Sequence, residues 1–319
     1  MENKLYDTVI IGAGPAGMSA AIYAARGNLD TLMIEKGPTG GQIATTELVE
    51  NYAGFPEGAS GPELADRFQK QAERFGAKLM NATVSKIEQD GKNYKLICED
   101  QTFLTRSIIC AMGADPRKLE VPGEDSNVGT GVSYCATCDG FFFRGKDVIV
   151  VGGGDAAVEE GLFLTRFAKT VTIVHRRDQL RAQKILQDRA FTNEKMKFMW
   201  DTVVTEIISN GTVKGVKIHN LKTDERSEMP IDGVFVFIGH IPNTKLVEDL
   251  VELDKHNLIK VDMLMRTSRP GIFACGDCRQ DAARQMVSSA GDGATAAISA
   301  IKYVDEMKIE DEQALKTFA

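Results

Sequence analysis

Two glycine-rich turns, each between a predicted strand and a predicted helix, constrain the fold of this chain most. Residues 5–11 read as a buried strand, and Gly-Ala-Gly-Pro-Ala-Gly at 12–17 then opens an alanine-rich helix. Residues 147–151 read as a second such strand, followed by Gly-Gly-Gly-Asp-Ala-Ala at 152–157 and a further helix to about residue 167. The two copies are offset by 140 residues, and each continues into another apolar strand, at about 31–35 and at 170–175. The chain therefore contains the same strand-turn-helix-strand plan twice.

The spacing of the small residues in each turn is typical of dinucleotide binding. The first glycine permits a tight turn, the second lets the backbone approach a pyrophosphate, and the third small residue, Gly17 or Ala157, lets helix pack on strand. One such turn also occurs for packing alone, but two copies in matching context favour two nucleotide sites.

The two copies differ where the adenosine ribose is expected. Glu35 ends the second strand of the first copy, and a carboxylate there accepts hydrogen bonds from ribose hydroxyls. The second copy has His175-Arg176-Arg177 instead, and guanidinium groups attract a 2′-phosphate. We therefore predict FAD in the first site and NADPH in the second. Arg181 either adds a third positive group or is an ordinary solvated arginine.

The rest of the chain completes a predicted α/β architecture of two Rossmann-like, three-layer nucleotide-binding domains. Residues 271–277 form a further strand that ends in Gly-Asp, ahead of an alanine-rich helix from about residue 291. We expect an FAD-binding domain made of residues 1–116 and 246–319. An NADPH-binding domain of residues 117–245 is inserted in it, and short proline- and glycine-containing connections mark the crossings.

A pair of cysteines, Cys135 and Cys138, lies just ahead of the second glycine turn. Tetrahedral zinc needs four ligands, and the four histidines are scattered along the sequence, so we expect no metal. Beside a flavin and a nicotinamide site, the two-residue spacing instead favours thiol-disulfide exchange. Asp139 is positioned to transfer the accompanying proton, or is only a turn residue. Residues 141–143 are three phenylalanines that either seed the core or meet a protein substrate.

The remaining cysteines are not predicted to act in redox chemistry. Cys275 and Cys278 have the same spacing, but they flank a strand-terminal Gly-Asp that is expected at the flavin. Cys98 is expected in a hairpin strand and Cys110 on an apolar strand, where cysteine usually behaves as a small hydrophobe.

Composition favours a cytoplasmic enzyme. The formal net charge of -7 disfavours binding to nucleic acid or anionic membranes. No apolar segment approaches the roughly 20 residues that span a bilayer, and Asp7 interrupts the first apolar run, so we expect neither a signal peptide nor a membrane anchor.

The order of these motifs resembles the low-molecular-weight thioredoxin reductases of bacteria over nearly the whole chain. It includes Gly40-Gly41-Gln42, Glu50-Asn51, Cys135-Ala136-Thr137-Cys138-Asp139-Gly140, His175-Arg176-Arg177-Asp178 and Gly276-Asp277. The cysteine motif within the pyridine-nucleotide domain is the most specific piece. The resemblance departs at Ala156 and Met112, where hydroxyl-bearing residues are expected, and at Cys275 and Cys278, which replace the more usual alanine and valine.

The resemblance implies the site residues. Those around FAD are Gly12, Gly14, Pro15, Ala16, Gly17, Glu35, Lys36, Gly40, Gly41, Gln42, Asn51, Val84, Gly113, Asp277, Arg284, Gln285 and Met286. Those around NADPH are Gly152, Gly154, Asp155, Ala156, Glu159, His175, Arg176, Arg177, Arg181 and Gly239. Cys135, Cys138 and Asp139 are the expected catalytic residues.

The resemblance also implies an activity and a partner. Electrons pass from NADPH through FAD and the Cys135–Cys138 disulfide to oxidised thioredoxin, in a homodimer. Because the NADPH site and the disulfide are predicted in one domain, we expect that domain to swivel so that each reaches the flavin in turn. A related reductase for a peroxiredoxin system, or one linked to ferredoxin, is the alternative, although the arginine cluster argues against ferredoxin. A dinucleotide sensor without catalysis would leave the cysteine pair unexplained.

Overall fold

The computed structural model describes residues 4–46, 48–99 and 101–318, in which strands and helices alternate. The strands are β1 (Leu5–Ile11), β2 (Thr31–Glu35), β3 (Lys78–Asn81), β4 (Val84–Asp90), β5 (Asn93–Cys98), β6 (Thr102–Cys110), β7 (Ala114–Pro116), β8 (Val132–Ser133), β9 (Asp147–Val151), β10 (Thr170–Val174), β11 (Met196–Met199), β12 (Thr202–Ser209), β13 (Val213–Asn220), β14 (Arg226–Pro230), β15 (Gly233–Val236), β16 (His240–Pro242) and β17 (Ile272–Ala274). The α-helices are α1 (Pro15–Arg26), α2 (Gly61–Arg74), α3 (Ala136–Asp139), α4 (Asp155–Leu164), α5 (Lys184–Phe191) and α6 (Met286–Phe318). Short 3-10 helices cover Gly41–Thr45, Asp125–Asn127, Gly140–Phe143, Lys245–Val247 and Gly276–Cys278.

The chain divides into two compact units. The first unit contains the chain up to Ala114 and from Pro242 onward, and the second unit spans Asp115–Ile241. Strands β7 and β16, where the chain passes between the units, pair with each other. The second unit is therefore an insertion whose entering and leaving strands lie side by side.

The first unit is built on a sheet with strand order β3-β2-β1-β6-β5-β4, and β17 pairs with β6. Strand β1 is parallel to both neighbours, with Val9 opposite Leu32 and Ile108. Consecutive side chains on β1 alternate between two cores: Ile10 packs with α1 and α6, and Val9 packs on the other face. The sheet is thus covered on both faces, as buried parallel strands require.

The second unit has a parallel sheet of order β11-β10-β9-β15-β8. One face packs against α4 and α5 through a core that includes Val150 and Leu186. The other face packs against the antiparallel sheet β12-β13-β14 through Ile149 and Val216. These three layers confirm the predicted Rossmann-like α/β fold.

Some element limits differ from the sequence prediction. The last helix begins at Met286, not near residue 291, and the helix expected to reach residue 167 ends at Leu164. The predicted start left out residues 286–290 and put glycines 291 and 293 in the first turn, although glycine is unfavourable inside a helix. Packing explains the second of them, because a Cβ on Gly293 would lie 2.0 Å from the carbonyl oxygen of Ala16 on α1. Within the described part of the chain, none of the helices combines the length and the apolar character needed to cross a bilayer.

Candidate dinucleotide turns and redox disulfide

The first glycine turn joins β1 to α1 and has one open position. Gly12 has φ +105°, and a Cβ on it would lie 2.3 Å from the carbonyl oxygen of Ala111. A Cβ on Gly17 would lie 1.9 Å from the carbonyl oxygen of Gly12. By contrast, a Cβ on Gly14 would meet nothing within 4 Å. The fold therefore requires Gly12 and Gly17, whereas Gly14 leaves space in front of the N-terminus of α1, where anions bind favourably.

The second glycine turn, between β9 and α4, repeats this arrangement. Gly152 has φ +152°, and its Cβ would lie 2.4 Å from the carbonyl oxygen of Phe237. A Cβ on Gly153 would lie 2.4 Å from Cε1 of His175, whereas one on Gly154 would meet nothing within 4 Å. Gly154 corresponds to Gly14 in the repeat. The two turns therefore share an open middle position for which packing gives no reason.

Glu35 is fixed beside the first turn. One carboxylate oxygen accepts the N–H of Ala13 at 2.7 Å, and the other accepts the N–H of Gly37 at 3.1 Å. The N–H of Gly40 in turn donates to the carbonyl oxygen of Ala13 at 2.7 Å. Each carboxylate oxygen has a further lone pair for a ribose hydroxyl.

The other residues predicted around FAD also lie in the first unit. Gln42 donates through Nε2 to the carbonyl oxygen of Ala114, and Asn51 donates through Nδ2 to Oε1 of Gln285 at 3.2 Å. The other predicted residues lie at the ends of strands and helices or in short turns. They are Pro15 and Ala16 in the first turn of α1, Lys36 exposed after β2, Gly41 in a 3-10 helix, Val84 at the start of β4, Gly113 after β6, Asp277 after β17, Arg284 with φ +53° and Met286 at the start of α6.

Three arginines lie next to the second turn and are exposed: Arg176, Arg177 and Arg181. Within the described residues, none of the three forms a salt bridge. The N–H of Arg181 donates to the carbonyl oxygen of Gly153 at 2.7 Å, so this segment is tied to the glycine turn. Exposed guanidinium groups without a carboxylate partner are suited to a phosphate.

His175 differs from the arginines that follow it. Its side chain is only 5 % exposed, and its ring packs under Gly153. Burial lowers the pKa of His175, and the charges of Arg181, Arg177 and Arg176 lower it further. A neutral imidazole therefore supports the glycine turn from below and does not add positive charge to the cluster.

The other residues predicted around NADPH lie on α4 or after β15. Oδ1 of Asp155, at the start of α4, accepts the N–H of Gln183 at 2.7 Å. Ala156 and Glu159 are exposed on α4. Gly239 has φ +109°, and its carbonyl oxygen accepts the N–H of Arg117 at 2.9 Å.

Cys135 and Cys138 form a disulfide. Cys135 precedes α3 in an extended conformation, and the N–H of Cys138 donates to its sulfur at 3.1 Å. The N–H of Cys135 donates to Oγ of Ser133 at 3.1 Å. The predicted pairing is confirmed, and Ser133, which the sequence analysis did not single out, fixes the backbone at its start.

Asp139 lies in a partly buried environment next to the disulfide. Its N–H donates to the carbonyl oxygen of Cys135 at 3.1 Å. Burial raises the pKa of Asp139, while a hydrogen bond from the Ser133 hydroxyl opposes that rise. Asp139 thus keeps its proton to a higher pH than a solvated aspartate, which suits a proton donor.

Cys275 and Cys278 are free thiols whose side chains lie in different cores. Cys275 packs in the core that contains α1 and α6, and Cys278 packs with Cys110 on the other face of the sheet. Burial raises the pKa of Cys278 to about 11 and that of Cys275 well above its usual value. Their arrangement therefore does not match that of Cys135 and Cys138. Among the described residues, no cluster of three His, Cys, Asp or Glu side chains could hold a metal ion.

Comparison with known proteins agrees with this arrangement. The profile of the family described as "Pyridine nucleotide-disulphide oxidoreductase" matches residues 6–297. The chain is 50 % identical to the thioredoxin reductase of Bacillus subtilis over 318 residues, which cover 99 % of both chains. It is 50 % identical to that of Listeria monocytogenes over 309 residues, or 96 % of both. The crystal structure of thioredoxin reductase from Streptococcus pyogenes has a TM-score of 0.92 at 50 % identity, covering 96 % of this chain and 100 % of that one.

Proposed function

Because the chain belongs to the pyridine nucleotide-disulphide oxidoreductase family, we propose that it is a thioredoxin-disulfide reductase that depends on NADPH and FAD. The observation that carries this proposal is the Cys135–Cys138 disulfide, which lies in the same unit as the second glycine turn. Relatives at 50 % identity over nearly the whole chain are thioredoxin reductases.

We assign FAD to the first unit, as expected for the domain of residues 1–116 and 246–319. The open position at Gly14 fits a pyrophosphate at the N-terminus of α1, and Glu35 fits the adenosine ribose. A carboxylate at that point disfavours a 2′-phosphate, so the first site selects against NADPH.

We assign NADPH to the second unit, as expected for the domain of residues 117–245. Gly154 leaves the same open position as Gly14, and Arg176, Arg177 and Arg181 lie exposed beside it. Their charges favour a 2′-phosphate, which NADPH carries and which NADH and FAD lack.

The chemistry of the chain itself centres on the disulfide. When bound, NADPH supplies a hydride and FAD relays the two electrons. The Cys135–Cys138 bond then breaks as it takes up two electrons and two protons, and two thiols form. Asp139, with its raised pKa, supplies one of these protons. One of these thiols, once deprotonated, attacks the disulfide of thioredoxin to give a mixed disulfide. The other thiol, as its thiolate, then attacks the mixed disulfide, so that the Cys135–Cys138 bond re-forms and thioredoxin leaves as a dithiol that has taken up the two protons.

We place the thioredoxin contact at the phenylalanines that follow the disulfide. Phe143 is buried and packs against Phe235, with ring centroids 5.0 Å apart. Phe141 and Phe142 are 54 % and 40 % exposed, and the guanidinium of Arg144 lies over the ring of Phe141. Phe143 therefore belongs to the core, and the other two offer an apolar surface beside the redox pair.

We further propose a cytoplasmic homodimer. Four cysteines outside the redox pair are free, which suits a reducing compartment. Apolar side chains are exposed on α1 and α6, including Tyr23, Val287 and Ile298, and a partner subunit would cover such positions.

The NADPH site and the disulfide raise a geometric requirement, because both belong to the second unit. Hydride transfer needs reacting atoms about 3–3.5 Å apart, and reduction of the disulfide needs comparable contact with the flavin. We propose that the second unit reorients on its two connections between these steps. Crystals of the oxidised protein and of a cross-linked thioredoxin complex should show two arrangements. A single arrangement serving both steps would contradict this.

The decisive assay is NADPH oxidation coupled to reduction of thioredoxin, compared between the native chain and Cys138→Ser. We expect the variant to lose thioredoxin reduction while NADPH still bleaches the flavin absorbance. Cys98→Ser is the matched control, because Cys98 is a buried free thiol in the first unit, and it should keep full activity. Full activity of Cys138→Ser would refute the relay. Activity only with a peroxiredoxin system, or only with ferredoxin as donor, would favour the alternative reductases.

A further inference from the structure

One face of α6 holds the Gly276-Asp277 turn that follows β17. Gly276 has φ +71°, and its N–H donates to Oδ2 of Asp292 at 3.2 Å. Oγ of Ser289 donates to Oδ1 of Asp277 at 3.2 Å. Ser289 and Asp292 are three residues apart on the helix and therefore share a face. Each residue of the turn has its own partner on α6.

Asp292 also forms a buried ion pair with Arg279. Nε of Arg279 donates to Oδ2 at 2.7 Å, and Nη2 donates to Oδ1 at 2.9 Å. The two side chains are only 16 % and 10 % exposed. The backbone N–H of Arg279 donates to the carbonyl oxygen of Gly276 at 3.1 Å. The network thus binds both backbone polar groups of Gly276.

The pair also balances charge at Asp277. Burial raises the pKa of Asp277, and the negative charge of Asp292 raises it further. The hydrogen bond from Ser289 and the charges of Arg284 and Arg279 act in the opposite direction. Arg279 therefore holds Asp292 in place and offsets its charge at the turn.

We propose that Asp292 is a positioning residue for FAD, which together with Arg279 holds the Gly276-Asp277 turn in its flavin-binding conformation. The inference rests on the proposed function, because Asp277 is the predicted FAD contact in this turn. It extends that function to two residues that neither the glycine turns nor the family motifs single out.

The test measures FAD binding by the flavin-free full-length protein, with the quenching of FAD fluorescence as the signal. We expect Asp292→Asn to raise the Kd for FAD roughly tenfold or more, because one bond of a buried charged pair is lost. At saturating FAD, turnover per bound flavin should remain near that of the native chain. Glu63→Gln is the matched control: it breaks an exposed pair with Arg67, bonded at 2.7 and 3.0 Å, and should leave the Kd unchanged.

A double-mutant cycle with Asp277→Asn separates positioning from general stability. If Asp292 acts through the turn, the double variant binds FAD little more weakly than Asp277→Asn alone. Additive losses, or an unchanged Kd in Asp292→Asn, would overturn the proposal. Arg279→Lys keeps the charge but loses the paired contact, so a severalfold rise in Kd is expected, and no rise would also overturn it. A native chain that binds no FAD would instead refute the proposed function.

Discussion

The two open glycine positions allow nucleotide binding to be separated from folding by a single methyl group. Gly14 has φ -79° and ψ -175°, and Gly154 has φ -94° and ψ -177°, which alanine adopts without strain. Since a Cβ at either position meets nothing within 4 Å, Gly14→Ala and Gly154→Ala should fold normally. Alanine lowers the conformational entropy of the unfolded chain relative to glycine, and this raises the free energy of unfolding by about 0.4–1 kcal/mol. The flavin-free variants should therefore melt at the native temperature or up to about 4 °C above it.

Nucleotide binding should weaken in both variants, although stability does not, and each variant should affect a different nucleotide site. The added methyl group occupies the space where a pyrophosphate meets the helix N-terminus, and a charged hydrogen bond is worth about 1.5–3 kcal/mol. Losing one such bond weakens binding roughly 10- to 150-fold. Gly14→Ala should therefore bind FAD more weakly by this factor and bind NADPH normally, whereas Gly154→Ala should bind FAD normally and NADPH more weakly.

The assay is calorimetric titration of each nucleotide, with thermal melts of the same samples. Gly17→Ala is the contrasting variant, because its Cβ would lie 1.9 Å from the carbonyl oxygen of Gly12, and it should melt lower whether or not nucleotide is present. Normal FAD affinity in Gly14→Ala, or a lower melting temperature without ligand, would refute the reasoning.

Three further predictions concern the second unit. Arg177→Gln should raise the KM for NADPH about tenfold and leave that for NADH unchanged, and equal effects on both would contradict a phosphate role. Phe142→Ala should raise the KM for thioredoxin about fivefold without slowing flavin reduction by NADPH, as stopped-flow absorbance can check. Because the folded state raises the pKa of Asp139, that carboxyl stabilises the fold at low pH and loses this effect as pH rises through its folded pKa. Asp139→Asn should therefore be more stable than the native chain at neutral pH. Urea melts at several pH values should show this difference in the free energy of unfolding disappear in acid.

Local signals predicted much of the fold because strand and helix ends coincide with glycines. Strands β1, β2 and β9 have the limits that the sequence indicates, since each runs directly into a turn or a charged residue. The predicted start of α6 was wrong because it left out residues 286–290, which contact distant segments: Ser289 bonds to Asp277, and the carbonyl oxygen of Ala290 accepts the hydroxyl of Ser19 on α1. Helix-helix contact is a property of two distant segments, so no local pattern contains it.

The site was predictable where a motif carries the chemistry, and not where only tertiary contact does. The Cys135–Cys138 pair follows from its spacing, and the structure contains it. His175 was grouped with the arginines by sequence, yet it is buried next to Gly153, because it directly follows the buried strand β10, whereas Arg176 and Arg177 lie in the exposed segment after it. Ser133 and Asp292 gave weaker signals: a serine three residues before a helix start, and a charged residue on an alanine-rich helix face.

The pairing of β7 with β16 bears on how such a chain can be assembled and edited. The N–H of Asn243 donates to the carbonyl oxygen of Gly113 at 3.1 Å, so the two cut points of the first unit are already neighbours. Removing residues 115–241 would leave ends that a short linker can close, and the interior of the first unit would keep its order. A module attached in this way can be exchanged for another without rebuilding its host. The first unit, to which we assign FAD, and the second unit, which carries the disulfide, can therefore vary as separate parts of one gene.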